Sequence, residues 1–430
     1  MSNEKNALLA WLAQLPSPPL GFSSHSKQCQ GKIFIALKGA QADGHQFIAE
    51  LVKNSSCAGY VVAKDFDLEP YKNLGPYFFK SNFLSQTHRD LASYFRKKFK
   101  GKIIGIGGSS GKTSTKEFLF QLLSQKFKCF KTEKSQNGDL GIPKTLEQLD
   151  QSFEIGIVEI GIDAPGDMLR HVNLVEPDIA VLTSIGEEHL NLLKNIEKIF
   201  EEESLLFHKT LAHGGICFAP EADPYLARFR DIPGVNLVSS ETHSDQSHLT
   251  NSYAQQNAKL AAALARYLGL SEDQISQGLR NLVLPEGRGR EIKLSNEKLL
   301  IADHYNSNPA SLKAGFLHLE KLAKVGQEKV YILGDMLDLG VESENAHRKI
   351  AKELCKKPFS KLIFVGPEFL KQSEFFRGKE SSVQFFANSA EAAGSIKLLD
   401  FPKGACVLLK GSRGIKMELI LEALLQQASF

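Results

Sequence analysis

The chain has little cysteine, little net charge and no long apolar run, and each shortage removes a class of protein. Its six cysteines (29, 57, 129, 217, 355 and 406) are scattered, with no Cys-x-x-Cys pair and no histidine spacing typical of zinc. That argues against a disulfide framework or a structural metal, and suits buried thiols in a reducing compartment. The formal net charge is only +3 over 430 residues, too small a field to draw in nucleic acid or an anionic membrane. One basic cluster, Arg96, Lys97, Lys98, Lys100 and Lys102, reads as a solvated linker ahead of a buried strand. The apolar stretch Ala7–Ala13, with Glu4 close by, is too short to span a bilayer and has no convincing cleavage site. It reads as an amphipathic helix, so no membrane span and a cytoplasmic location are expected.

What is present is a regular alternation. Hydrophobic residues make up 42% and charged residues 23%, the balance of a soluble globular protein, and the length implies two or three domains. Short apolar runs alternate with helical patterns, which predicts an α/β architecture with parallel sheets covered on both faces. In residues 1–98, Lys32–Leu37 and Ala58–Ala63 read as strands, with a helix around Gln46–Lys53 between them: a small mixed α/β domain. Asp43-Gly44-His45 is a turn and helix start, where His45 is either a capping histidine or a ligand. Residues 99–284 carry apolar runs from Ile103, at Phe153–Ile160 and at Asp178–Ser184. Beyond a hinge at Pro285–Arg290, the runs Lys298–Asp303, Lys329–Asp335, Lys361–Gly366 and Ala405–Lys410 read as further parallel strands.

The chemistry is concentrated after the first of the central runs. Gly108-Ser109-Ser110-Gly111-Lys112-Thr113 stands between a strand and a helix, the layout in which backbone N–H groups and a helix N-terminus hold phosphate. Lys112 would reach the outer phosphates and the Thr113 hydroxyl would take Mg²⁺. The loop is shorter than the eight-residue P-loop pattern, whose first glycine would fall at Ile106. Glu159 ends a neighbouring run, where a carboxylate reaches the same cation or is paired for structural reasons. His189 follows the next run and faces the same cavity or packs against it. Ile196, Ile199, Phe200, Leu206 and Phe207 outline the apolar face of a helix. Glu203 falls on that face while Glu201 and Glu202 project sideways, and an inward carboxylate needs a cation or donors. Arg288 suits phosphate but is also an ordinary surface residue type. The polar loop Asp303–Pro309 follows a strand, and its Asx residues and proline also suit a turn.

These pieces, in this order, resemble the Mur ligase superfamily over nearly the whole chain. The matching stretches are Ile33–Gly39 with Asp43-Gly44-His45, Gly108–Thr113, Asn137 with Gly141-Ile-Pro143, Glu159-Ile-Gly161 and Glu176-Pro-Asp178. They continue with Thr183–Gly186 and His189, Asp303–Pro309, Leu333–Gly340 and Lys410-Gly-Ser-Arg413. Tyr305-Asn-Ser-Asn-Pro309 and Leu333-Gly-Asp-Met336 are similar to the D-alanyl-D-alanine-adding branch. The resemblance implies three domains: 1–98 for a UDP-sugar substrate, 99–284 a P-loop-type parallel-sheet ATPase, and 285–430 a Rossmann-like domain presenting the amine. It implies a monomer that uses ATP and two Mg²⁺ ions to join UDP-N-acetylmuramoyl-tripeptide to D-alanyl-D-alanine through an acyl phosphate. By the same likeness Gly108, Ser109, Ser110, Gly111, Lys112, Thr113 and Ser114 hold phosphate, and Asn257, Arg288 and Asp303 hold the rest of the nucleotide. Thr113 and Glu159 take one Mg²⁺, His189 helps with the other, and Lys112, His189 and Glu203 form the catalytic set. Ser26, Lys27, Asp43, His45 and Asn137 face the sugar substrate, and Asn306 and Asn308 the acceptor amine.

Four departures from the family pattern bear on function. Where most members carry a lysine carbamylated by CO₂, counting along the helix after His189 arrives at Glu203, which offers carboxylate oxygens without modification. The usual Asp-Ser-Arg segment is His25-Ser26-Lys27, one residue shorter before Gly31, and lysine lacks the planar fork of arginine. An Asn-Asn pair becomes Asn137-Gly138. The segment between Val238 and Asn257 is shorter than usual, so some middle-domain sheet is expected to be missing. A paralogue joining another acid and amine is the nearest alternative. An inactive nucleotide-binding descendant is a further one, set against the presence of Lys112, Thr113, Glu159 and His189.

Overall fold

The computed structural model describes residues 2–39, 42–239, 249–250, 252–397 and 400–428. Three sheets follow one another along the chain. The first has four parallel strands in the order Phe22–Ser23, Ile33–Ile35, Gly59–Ala63 and Phe78–Ser81. Helices Ser2–Gln14 and Leu84–Lys98 cover it through Leu8, Trp11, Leu12, Leu91 and Phe95, and the same apolar core continues into one face of the central sheet.

The central sheet runs Val235–Val238, Ile216–Pro220, Ile179–Leu182, Lys102–Gly107, Ile155–Glu159 and Cys129–Lys131, all parallel. Its strands are near-continuous apolar runs because both faces are buried. Helices Asp167–Val175 and Ile196–Ala212 pack on one face; Lys112–Leu123, Ser252–Tyr267 and Glu272–Arg280 pack on the other. The earliest strand, Lys102–Gly107, lies between two later ones. Strand order therefore reverses beside it and leaves a crevice at the C-terminal edge, the usual ligand position in such sheets. The expected shortening after Val238 falls mostly on residues outside those described.

The third sheet runs Arg290–Lys293, Leu299–Asp303, Cys406–Lys410, Lys329–Gly334, Lys361–Val365 and Val383–Phe386. The four runs expected as parallel strands are parallel, and the sheet is mixed only through a strand not expected, Arg290–Lys293, which pairs antiparallel along one edge. That strand is mostly exposed and Val383–Phe386 at the opposite edge is only partly buried, so neither has the continuous apolar run that marks an inner strand.

The basic cluster is not a solvated linker at Arg96. Residues 87, 88, 91, 92, 95 and 96 form the buried stripe of the helix Leu84–Lys98. The Arg96 guanidinium donates to the Val175 and Glu176 carbonyls at 2.8 and 2.6 Å and to Asp178 Oδ2 at 3.0 Å. It thereby satisfies the carbonyl end of the helix Asp167–Val175. Arg96→Ala should cost about 2–4 kcal/mol of stability, because the carbonyls lose their donor. Arg96→Lys should recover only part of it, since an ammonium has no fork. Urea unfolding midpoints measure both, and an unchanged midpoint in Arg96→Ala would contradict the clamp.

Candidate active site

At the crevice, the chain leaves the strand Lys102–Gly107 through Gly108 and Gly111, both at positive φ (108° and 93°). A side chain at Gly108 would meet Thr183 Oγ1 at 2.5 Å, and one at Gly111 would meet Asn257 Oδ1 at 2.7 Å. Both positions therefore require glycine. The loop is pinned from below: Ser109 N donates to Ser184 O (2.8 Å), Ser110 N to Ser184 Oγ (3.1 Å), and Thr183 Oγ1 to Ser110 O (2.6 Å). No side chain caps the helix Lys112–Leu123, in which Thr113 and Ser114 are buried. Its first-turn N–H groups have no partner within the helix, which makes its start an anion site.

Lys112 curls back to donate to the Gly108 carbonyl and lies 3.8 Å from Glu188. Burial disfavours its charge, but Glu188, Glu203 and Glu159 outweigh that and hold its pKa above the ordinary lysine value. Thr113 Oγ1 donates to Glu159 Oε1 at 3.1 Å and accepts from the Arg288 guanidinium at 3.2 Å. Asn137 Nδ2 donates to the same Glu159 oxygen at 2.8 Å, while the other oxygen lies 3.2 Å from the fully buried ammonium of Lys116.

Glu203 sits wholly buried beneath the loop. Its Oε2 accepts from Gly108 N at 2.8 Å and its Oε1 has no hydrogen-bond partner. Burial raises its pKa to about 7, with Lys112 pulling the other way. Glu202 corrects the reading of a sideways, solvated carboxylate: it is buried and accepts from Gly166 N and Met168 N, both at 2.9 Å. It caps the start of the helix Asp167–Val175, which packs beside its own, and leaves Glu201 as the exposed member of the run. His189 starts the helix Leu190–Leu193 with its Nε2 3.6 Å from Asp163 Oδ1; burial lowers its pKa and favours the neutral ring that ligates metals.

The third region reaches over this crevice. Arg288 lies 4.1 Å above the Tyr305 ring, and its Nε is buried without a partner. Asn308 caps the helix Pro309–Leu322 and lies 3.5 Å from Ser110 Oγ. Asp303 pairs with Lys410 at 2.7 Å, and the Asn306 side chain closes its own turn on Ser307 N at 2.8 Å. Asn257 packs against Gly111, and a cavity of about 250 Å³, lined in part by Pro220, Val238, Gln256 and Lys259, opens beside its helix.

The first-sheet candidates are elsewhere: among the described residues, no hydrogen bond or ion pair joins Ser26, Lys27, Asp43 or His45 to the phosphate loop. His45 Nδ1 bonds Asp43 Oδ1 at 2.6 Å and its Nε2 accepts from Ala63 N at 3.0 Å, so the fold occupies both ring nitrogens. Ser26 opens a short 3₁₀ turn with Lys27 exposed. Two site residues escaped the sequence reading. Glu188 is 11% exposed, and burial raises its pKa to about 8 against the pull of Lys112. Lys116 lies one turn beyond Lys112 on the buried face of the same helix, and a lysine breaking that face was the available signal.

Among the described residues, no three His, Cys, Asp or Glu side chains converge as a preformed metal cage. Magnesium does not demand one; it keeps waters and uses one or two carboxylates with substrate phosphates. The Thr113–Glu159 pair, and the Oε1 atoms of Glu188 and Glu203, which accept no hydrogen bond, are donors of that kind.

Two family models match this chain: the Mur ligase middle domain over residues 106–268, and the Mur ligase glutamate ligase domain over residues 287–413. The chain belongs to the Mur ligase family. It is an ATP-dependent amide ligase of the Mur type, an enzyme of peptidoglycan synthesis. Among its relatives is the UDP-N-acetylmuramoyl-tripeptide–D-alanyl-D-alanine ligase of Treponema pallidum, 29% identical over 92% of this chain and 91% of that one. The Escherichia coli enzyme of the same name is 27% identical over 93% and 92%. MurF from Acinetobacter baumannii superposes with a TM-score of 0.79 at 25% identity, covering 97% of this chain and 98% of that one. MurF from Thermotoga maritima in complex with ADP shares the fold at a TM-score of 0.75 and 24% identity, over 95% and 98%.

The raised carboxyls predict a stability that depends on pH. Glu188 and Glu203 keep their protons when folded up to about pH 8 and about 7, against 4.5 when unfolded. The folded chain binds more protons in that window, so their contribution to stability is lost as pH rises through it. Without nucleotide or divalent cations, Glu188→Gln should therefore gain thermal midpoint relative to wild type at pH 8, and gain less at pH 5.5. A difference independent of pH would contradict the burial of this carboxyl.

Proposed function

We propose that this Mur ligase adds D-alanyl-D-alanine to UDP-N-acetylmuramoyl-tripeptide, acting as a cytoplasmic monomer. The supporting observation is the crevice itself: a phosphate loop whose lysine faces buried carboxyls, approached by Arg288 and Asn308 of the third region. The relatives named for that reaction span over nine-tenths of the chain. Residues 1–98 would hold the UDP-sugar, 99–284 ATP, and 285–430 the amine.

A carboxylate is a poor acyl donor until one of its oxygens can leave as phosphate. In this reading the substrate carboxylate attacks the γ-phosphorus of ATP, breaking its bond to the β–γ bridging oxygen and releasing ADP, and the amine attacks the acyl phosphate and gives up a proton. Phosphate then leaves from the tetrahedral intermediate. Lys112 and the open helix start neutralise the transferring phosphoryl group, arranged in advance of the reaction. Asn257 holds the base beside Gly111, while Arg288 links third-domain closure to Thr113. Thr113 with Glu159, and Glu203 with His189, would hold Mg²⁺, whose charge would screen the repulsion between carboxylate and phosphate.

One observation favours a second reading, a paralogue joining a different acid and amine: the segment facing the sugar carries His25 and an exposed Lys27 where the family has Asp and Arg. Purified protein given ATP, the muramoyl tripeptide and D-alanyl-D-alanine should release phosphate only with all three present, and the adduct mass should appear. No release with this pair, but release with another acid and amine, would select the paralogue. Lys112→Ala and Glu203→Ala should each lower turnover by about 10²–10³-fold. Wild-type turnover should ignore added or depleted bicarbonate, and a bicarbonate response would contradict the role given to Glu203.

A further inference from the structure

We propose that Lys112 is the resident cation of a two-carboxylate seat built by Glu188 and Glu203, and that a divalent cation replaces it when Lys112 turns to bound phosphate. The proposal deepens the ATP reading above and makes Glu188 a metal-holding residue. Two elements that are separate in sequence deliver these carboxyls, the loop after the strand Ile179–Leu182 and the helix Ile196–Ala212. Both act on the same ammonium. That ammonium is turned inward, donating to the Gly108 carbonyl with Glu188 Oε1 3.8 Å away.

Each carboxyl keeps one oxygen, Oε1, sheltered from water without a hydrogen-bond donor. Glu203 cannot turn away, because it is fully buried and its other oxygen is held by Gly108 N. A buried acceptor without a donor is unfavourable unless a cation meets it. Glu159 differs, since its first oxygen already accepts from Thr113 and Asn137 and its second lies 3.2 Å from the ammonium of Lys116 rather than that of Lys112. When Lys112 moves to the phosphates, the ionised forms of Glu188 and Glu203 lose their counter-charge, which is strongly unfavourable for a buried pair, and a cation that binds there displaces the protons these carboxyls otherwise keep. A divalent cation restores the balance and also meets the phosphate oxygens, in the mixed coordination that magnesium favours. Occupancy of the seat is thereby coupled to nucleotide binding, with no covalent modification of the chain.

The test measures Mn²⁺ binding to the full chain without nucleotide, by the loss of the free-ion electron paramagnetic resonance signal. Lys112→Met should bind one Mn²⁺ at least about tenfold more tightly than wild type, because a unit charge a few ångströms away has gone. Lys112→Arg, which keeps the charge, should show no gain. Adding Glu188→Gln to Lys112→Met should abolish the gain, with circular dichroism checking that each variant is folded. No gain in a folded Lys112→Met, or a gain that survives Glu188→Gln, would overturn the seat. Failure of the wild type to bind a non-hydrolysable ATP analogue would overturn the nucleotide reading instead, and the nucleotide-free arm would still decide the seat.

Discussion

The arrangement at the centre of this protein is two lysine ammonium groups, Lys112 and Lys116, set against several sheltered carboxyl groups. Lys112 comes from the turn after the earliest central strand, Glu159 from the end of one neighbouring strand and Glu188 from the loop after the other. Glu203 rises from the helix below. Because the central strands are all parallel, their C-terminal ends open on one edge, and these groups meet there. Such a concentration of negative charge is costly in a folded chain. Its retention makes sense where positive charge and phosphate pass through the same space.

The rest of the architecture supports that edge. Two apolar layers, one on each face of the central sheet, fix the strand ends. Arg96 and Glu202 each satisfy one end of the helix Asp167–Val175, so the helix flanking the site is anchored twice. The third sheet contributes residues that lie beyond its own strand ends: Arg288 touches the Thr113 hydroxyl and Asn308 approaches Ser110. The loop after the earliest central strand and the third region are therefore joined through a few polar contacts.

Much of this was legible in the sequence, for physical reasons that differ from residue to residue. The phosphate loop was readable because glycines at positive φ between a strand and a helix leave a distinctive mark. Glu203 stood out because a charge at an apolar period is rare. Glu202 was misread from the same helix, because a neighbouring helix covers a second side that single-helix periodicity does not show. Arg96 was hidden in a basic run, since composition does not tell which member of the run turns inward. Glu188 lay beside another glutamate in a loop, where no period applies. His45 was matched to the substrate residues by resemblance and also read as a packed or capping histidine, and the fold uses both of its ring nitrogens. Asn137 reached the crevice by bonding Glu159, a pairing between distant residues that no local pattern records.

The central claim is that this crevice activates a carboxylic acid by making its oxygen part of a phosphate. The most direct measurement uses muramoyl tripeptide labelled with ¹⁸O in the reacting carboxyl group, with mass analysis of the phosphate released during amide synthesis. Transfer of one labelled oxygen to each phosphate is the predicted result. Unlabelled phosphate accompanying amide formation would mean that the acid is activated some other way, and would contradict the account.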